Sequence, residues 1–265
     1  MLLDWKGQSI QVRELGEGPA VVLVHGYPLD GAMWSGVARA LSRSHRVFKP
    51  DLPGRGENPS AADGTIDGYA DFIEAVMAQL PVPVGLAGFS MGGYVALALA
   101  KRDPAALRAL ALVDSRAGSD DDAGRKARDA AIDSVRAGGA AAIMDTMIEK
   151  LLAPASLGNA SLVERLRRMI LRQKTETLES DLTAMRDRPD STEFLPRLKI
   201  PTMVLAGEHD IIAPPAEGRS MAEAIPGARF VPIAGAGHLS PMERPGAVAA
   251  ALQDFFSSAL GSPSG

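Results

Sequence analysis

A serine hydroxyl is nearly inert at neutral pH; it attacks a carbonyl only when a base takes its proton and the backbone holds it clear of its neighbours. The run Gly88-Phe89-Ser90-Met91-Gly92 has the spacing for the second condition. Before it, Val84 to Ala87 is a short apolar stretch that reads as a buried strand. After it, Tyr94 to Lys101 is a run of good helix formers that must stop near Asp103-Pro104. A serine on a sharp turn between strand and helix projects its hydroxyl outward, with the positive end of the helix behind it. Gly88 and Gly92 avoid crowding such a turn, and Gly93 lets the helix lie close to the neighbouring strand. The pattern by itself is weak, since a chain with 27 glycines in 265 residues produces G-x-S-x-G by chance roughly 0.2 times. The competing reading is a glycine-rich turn with a solvated serine.

The base must come from four histidines. His25 lies in a loop with another role, bracing it; His45 opens an early strand, and His209 directly adjoins an acid. His238 remains. It follows a strand end in a loop where Gly235 and Gly237 free the backbone to turn the ring toward the sheet, and Asp210 lies one strand earlier, also past a carboxyl end. The competing role for Asp210 is to cap the helix begun by Pro214 and Pro215.

These residues are useful only if the elements between them form one sheet. Leu2 to Trp5 and Ser9 to Glu14 predict an opening antiparallel hairpin, and Ala20 to His25 is a continuous apolar run of the kind buried on both faces of a parallel sheet. Helical spacing over Met33 to Leu41 and Ile66 to Leu80 alternates with strands at His45 to Lys49, Val84 to Ala87 and Leu107 to Val113. Such alternation predicts a parallel sheet with helices on both faces and ligands bound beyond the carboxyl ends of the strands, where His25, Asp51, Ser90 and Asp114 all fall. From 115 to 195 only helical patterns appear, around Ile143 to Leu152, Leu162 to Ile170 and Leu178 to Met185, which predicts a helical cap inserted into a core of 1–114 and 196–265. The Met and Leu stripes of that insertion are mostly packing, with a few lining the site as an adaptable apolar wall. Strands at Ile200 to Ala206 and Ala228 to Ile233, and a last helix from Pro245 to Leu260, complete an α/β fold with an eight-stranded sheet.

Composition narrows the partners. A net charge of −4 with no long block of one sign argues against nucleic acid and anionic membrane, and the absence of cysteine removes disulfides, thiolate nucleophiles and cysteine metal sites. The start Met1-Leu-Leu-Asp-Trp-Lys6 has no signal-peptide character and no run reaches the length of a membrane span, so a cytoplasmic protein is expected. The tail from Ser257 to Gly265 is small and polar at its end and is expected to be disordered. No motif implies a metal or an organic cofactor, and oligomeric state is unreadable.

The motifs His25-Gly-Tyr-Pro28, Asp51-Leu-Pro-Gly-Arg-Gly56, Gly88-Phe-Ser-Met-Gly92, Gly207-Glu-His-Asp210 and Gly237-His238, in that order, make the chain resemble the α/β-hydrolase superfamily over nearly all its length. The resemblance implies Ser90 as nucleophile, His238 as general base and acid, Asp210 as the carboxylate that orients the imidazole, and an oxyanion hole from the backbone N–H groups of Tyr27 and Met91. It also keeps Asp114 open as a rival acid, because some relatives place the acid after the strand that follows the elbow helix. Tyr27 is expected to act through its backbone rather than its ring, and Asp51 and Arg55 to support the turn.

Serine at position 90 disfavours relatives with an aspartate nucleophile, and the three tyrosines, Tyr27, Tyr69 and Tyr94, leave none in the insertion, where epoxide hydrolases place theirs. The stretch Gly26 to Trp34 resembles that of bacterial enol-lactone hydrolases, small carboxylesterases and cofactor-free haloperoxidases or perhydrolases. The expected reaction is hydrolysis of a small, largely apolar ester or lactone through an acyl-enzyme. The alternatives are perhydrolysis at the same site and a slow-turnover signalling receptor on the same fold. A substrate bearing carboxylates would require an arginine in the pocket; Arg125, Arg128, Arg165, Arg168 and Arg172 are the candidates in the insertion, with unreadable facing.

Overall fold

The computed structural model describes residues 1–56, 58–59, 64–103 and 107–261. Eight strands form one sheet: β1 (Leu2–Trp5), β2 (Gln8–Leu15), β3 (Ala20–Val24), β4 (Arg46–Pro50), β5 (Val84–Phe89), β6 (Ala109–Val113), β7 (Thr202–Gly207) and β8 (Arg229–Ile233). In space they run β1-β2-β4-β3-β5-β6-β7-β8. The β1–β2 and β2–β4 pairs are antiparallel and all the others parallel.

Burial follows position in that order. Every residue of β3, β5, β6 and β7 is buried, which is why these segments read as unbroken apolar runs. At the edge, β1 alternates exposed and buried residues, and β8 buries only Ile233 fully. Among the helices of the sheet layers are α1 (Ser35–Leu41), α2 (Ile66–Met77) and α3 (Met91–Arg102). Thr65 caps α2 by accepting the Gly68 N–H at 2.9 Å, and the helix turns Tyr69, Ile73, Val76 and Met77 inward.

Four α-helices and two short 3-10 helices (Pro154–Ser156 and Thr192–Arg197) separate β6 from β7, the α-helices being α4 (Asp122–Gly138), α5 (Ala141–Leu151), α6 (Ala160–Leu171) and α7 (Thr175–Arg186). No strand interrupts them among the described residues. After β7 comes α8 (Pro215–Ala224), and after β8 the short α9 (Ser240–Glu243) and the long α10 (Pro245–Leu260). The apolar patterns marked α5, α6 and α7 but not α4. The reason is that α4 buries only Ile132 and Val135, and much of its inner surface is alanine. The overlooked signals were its ends, an Asp121 cap on the Gly124 N–H and a stop at Gly139, whose φ of 61° suits glycine.

Pro104, expected to stop α3, and residues 262–265 lie outside the described residues, while 257–260, part of the tail expected to be disordered, form the last turn of α10. No helix among the described residues is long and apolar enough to cross a membrane.

Candidate active site

The carboxyl ends of β3, β4, β5, β6, β7 and β8 deliver His25, Asp51, Ser90, Asp114, Asp210 and His238 to one edge of the sheet. Ser90 joins β5 to α3 with φ 50° and ψ −114°, a conformation that costs a non-glycine residue about 1–3 kcal/mol. Neighbours hold it there. The Ser90 N–H donates to the Val113 carbonyl at 2.9 Å, and the Ser90 carbonyl accepts the Gly93 N–H and the Ser115 hydroxyl, each at 2.8 Å. Glycine is needed beside it, since a Cβ on Gly88 would lie 2.3 Å from the Gly92 carbonyl oxygen and one on Gly92 2.5 Å from that of Val24.

His238 stands against this elbow. Its Nε2 is 2.9 Å from Ser90 Oγ and its Nδ1 is 2.7 Å from Asp210 Oδ2. One tautomer satisfies both contacts: Nδ1–H donates to the carboxylate and Nε2 accepts from the serine. The other carboxylate oxygen, Oδ1, accepts the N–H groups of Ile212 at 2.8 Å and Ala213 at 2.9 Å, so Asp210 is fixed in orientation. Turn-binding and histidine contact are therefore held by different oxygens of one side chain. All three residues are buried, and the Phe89 ring lies 5.1 Å from the imidazole.

Asp114 is at the same edge yet makes no hydrogen bond to His238. Its Oδ1 accepts the Gly207 N–H at 2.7 Å and its Oδ2 accepts the Ser240 hydroxyl. It thereby ties together the loops that carry Asp210 and His238. Burial, with the charge of Asp210 added, pushes its carboxyl well above the usual carboxylate range.

The loop after β3 comes up beside the serine. A Cβ on Gly26 would sit 3.0 Å from Ser90 Cβ, so glycine sets how closely the loop approaches. The next residue, Tyr27, has a backbone N–H with no acceptor among the described residues. Met91 opens α3, where an N–H has no partner within the helix. His25 braces the loop by accepting the Leu52 N–H at Nε2 over 2.9 Å. Burial, then the Arg55 charge, lowers its pKa to about 3 and keeps the ring neutral. Asp51 accepts the Gly31 N–H at 2.8 Å, and Arg55 donates to the Leu29 carbonyl at 2.7 Å.

Helices α4 to α7 cover this edge. A cavity of about 420 Å³ lies between them and the sheet, with Ser90, His238 and Tyr27 on its floor side and Ile143, Met147 and Leu182 among its apolar walls. Side chains from the helices clamp the loops beneath. Arg172 pairs with Asp30 through two hydrogen bonds of 2.6 Å, Asp181 with Arg55, and Thr177 donates to the Gly54 carbonyl at 3.0 Å. Glu243 joins the histidine loop to the end of α5, accepting the Gly237 N–H and the Ala153 N–H at 2.8 Å each.

Of the arginines whose facing was unreadable, Arg128 lines the cavity, paired with Asp120 at 3.0 Å, while Arg172 serves the Asp30 clamp. Arg188 carried no sequence signal. It is buried, pairs with Asp120 at 2.9 Å and stacks 4.2 Å over the Tyr94 ring. Among the described residues, no group of three or more His, Asp or Glu is placed to hold a metal ion.

A mostly parallel sheet with a serine elbow, an adjoining histidine and a carboxylate behind it defines a class of fold that known proteins share. A family model described as the alpha/beta hydrolase fold matches residues 19–245, and the chain belongs to that family. A thermophilic esterase from Thermogutta terrifontis superposes with a TM-score of 0.91 at 37% identity, over 95% of this chain and 94% of the other. The enol-lactonase of Burkholderia xenovorans LB400 gives a TM-score of 0.89 at 27% identity, over 97% of this chain and 100% of the other. By sequence, the pimeloyl-[acyl-carrier protein] methyl ester esterase of Chromobacterium violaceum is 30% identical over 236 residues, 87% of this chain and 91% of the esterase. The chain also matches the polyketide synthase ThaQ of Burkholderia thailandensis at 30% identity over 238 residues, 88% of this chain, and there it spans only 11% of the longer protein's length.

Proposed function

We propose that this protein is a serine hydrolase that cleaves a small carboxylic ester or lactone through an acyl-enzyme. The observation that carries the reading is the unbroken chain from Ser90 Oγ through His238 to Asp210, with links of 2.9 and 2.7 Å, opening onto a covered cavity. His238 Nε2 takes the Ser90 proton as Oγ attacks the carbonyl carbon. The carbonyl oxygen, now negative, meets the N–H groups of Tyr27 and Met91, each such donor being worth about 10²–10³ in turnover. As the C–O bond breaks, the same proton passes from Nε2 to the departing alkoxide. Water then repeats the sequence on the acyl-enzyme, and Ser90 regains its proton. Asp210 stays ionised and stabilises the imidazolium formed in each half.

In this reading 115–195 is a cap on a core formed by 1–114 and 196–265. The cap excludes water from the charge that develops on the carbonyl oxygen. A cavity of about 420 Å³ suits a small molecule, and its apolar walls suit an acyl chain or a lactone ring. The esterase and enol-lactonase similarities support this substrate range.

Steady-state release of p-nitrophenol from p-nitrophenyl acetate and butyrate tests the reading. Ser90→Ala and His238→Ala are each expected to lose about six orders of magnitude in kcat. Turnover of Ser90→Ala above one hundredth of the parent would refute Ser90 as nucleophile, and a single burst without turnover would favour a receptor.

A further inference from the structure

The Tyr27 side chain was expected to be passive, and its surroundings argue otherwise. The residue is 6% exposed and lines the cavity above Ser90 and His238. Its hydroxyl makes no hydrogen bond with any described residue. The buried polar side-chain atoms that are both unpartnered and sealed off are Trp34 Nε1, Arg55 Nη1, Arg116 Nε and Arg188 Nε. The Tyr27 oxygen is not among them, so it keeps some accessible surface, on a residue that lines the cavity. A phenol hydroxyl with no protein partner on a residue of the cavity wall is open to bond a molecule in the cavity, water or ligand.

From this placement we infer that the Tyr27 hydroxyl donates a hydrogen bond to the substrate, and that the substrate carries an oxygen acceptor besides its scissile ester or lactone group. The inference rests on the hydrolase reading above and narrows it to a subclass: esters or lactones bearing a keto, ether or carboxylate oxygen. The direction of donation follows from chemistry, a phenol being a better donor than acceptor. Burial raises the pKa of the phenol, so it keeps its proton at any working pH. Lys150 of α5, a solvent-exposed residue that also borders the cavity, has no hydrogen-bond or ion-pair partner among the described residues and offers a second donor. It lies beside Leu151, whose carbonyl accepts the Leu239 N–H at 2.8 Å next to His238. Asp120, the carboxylate of the lining, is already taken by Arg128 and Arg188. The open polar groups named here are thus matched to an acceptor on the ligand.

The test compares near-isosteric pairs that differ by one oxygen. On the acyl side these are p-nitrophenyl 4-oxopentanoate and pentanoate; on the alcohol side, 2-methoxyethyl and butyl butanoate, followed by pH-stat. In the parent protein kcat/KM is expected to favour the oxygen-bearing member of one pair by roughly 5- to 100-fold, and Tyr27→Phe is expected to reduce that ratio to near one. A preference below twofold in both pairs, or a ratio that Tyr27→Phe leaves intact, overturns the inference while leaving the hydrolase reading standing.

Binding of the intact esters to Ser90→Ala and to Ser90→Ala/Tyr27→Phe, read by calorimetry, asks the same question without turnover. Equal ratios of Kd in the two variants overturn the inference. If no ester is turned over by the parent, the hydrolase reading falls, and the calorimetric ratio still decides the role of Tyr27.

Discussion

Gly237 precedes the candidate base, and adding one methyl group to it is a direct test of whether α5 sets the position of His238. A Cβ on Gly237 would lie 2.4 Å from Ala153 N and 2.7 Å from Leu152 C, both backbone atoms. Ordinary contact begins near 3.4 Å, so the two segments must separate by about 1 Å. Neither yields easily. The Ala153 and Gly237 N–H groups are both held by Glu243, and the Leu239 N–H is held by the Leu151 carbonyl. The displacement therefore falls on His238, between two pinned neighbours, and lengthens its 2.9 Å contact with Ser90. A misplacement of about 1 Å typically costs about 100-fold in rate. Gly237→Ala is accordingly expected to lower kcat about 100-fold, and overpacking of about 1–3 kcal/mol to lower Tm by roughly 2–10 °C. Gly246, exposed in α10, is the control: a Cβ there meets nothing within 4 Å, and Gly246→Ala is expected to stabilise by about 0.5–1 kcal/mol with kcat unchanged. Ester turnover and thermal melts of the two variants check this. A Gly237→Ala protein with kcat within threefold of the parent would refute the reasoning.

Two carboxylates at the sheet edge predict opposite outcomes for the same replacement. Asp210→Asn presents an amide to His238 and is expected to reduce kcat by about 10⁴, whereas Asp114→Asn is expected to stay within tenfold, because its oxygen still accepts from Gly207 and its amide can donate to the Ser240 hydroxyl. The Asp114 carboxyl is raised in the folded state, so the native protein binds its proton more tightly than the unfolded chain does. Its stabilising contribution is present at acid pH and lost as pH rises from the ordinary carboxylate value through the raised one. Melts should show Asp114→Asn gaining stability over the parent toward neutral pH and losing that advantage near pH 4. In the clamp between α7 and the Asp51 turn, Asp181→Ala strands the fully buried guanidinium of Arg55 and is expected to destabilise by about 3–5 kcal/mol, measured by urea unfolding.

Much of the site was legible because its residues follow buried strands. Parallel strands covered on both faces must be apolar throughout, so β3, β5, β6 and β7 stand out as runs, and the polar residue after each run marks the edge where ligands bind. Ser90, Asp114 and His25 could be placed on that principle alone. α4 was missed because a helix whose buried face is small residues gives little apolar contrast.

The sequence by itself determined the alternation of strand and helix, the elbow at Ser90, and the short roll of histidines and carboxylates from which a proton relay could be drawn. Only the tertiary structure decided which of them meet. Asp210 and Asp114 follow adjacent strands, and the sequence favours Asp210 while leaving Asp114 as a rival; the loop after β7 brings Asp210 to the imidazole, and the Ser240 and Gly207 contacts hold Asp114 elsewhere. The clamps between the covering helices and the sheet loops, Asp30 with Arg172 and Arg55 with Asp181, likewise join residues 142 and 126 positions apart. Periodicity reports which face of an element is buried, because burial depends on local spacing. It carries no information on which charged group waits on the opposite surface, since that depends on how the chain has closed.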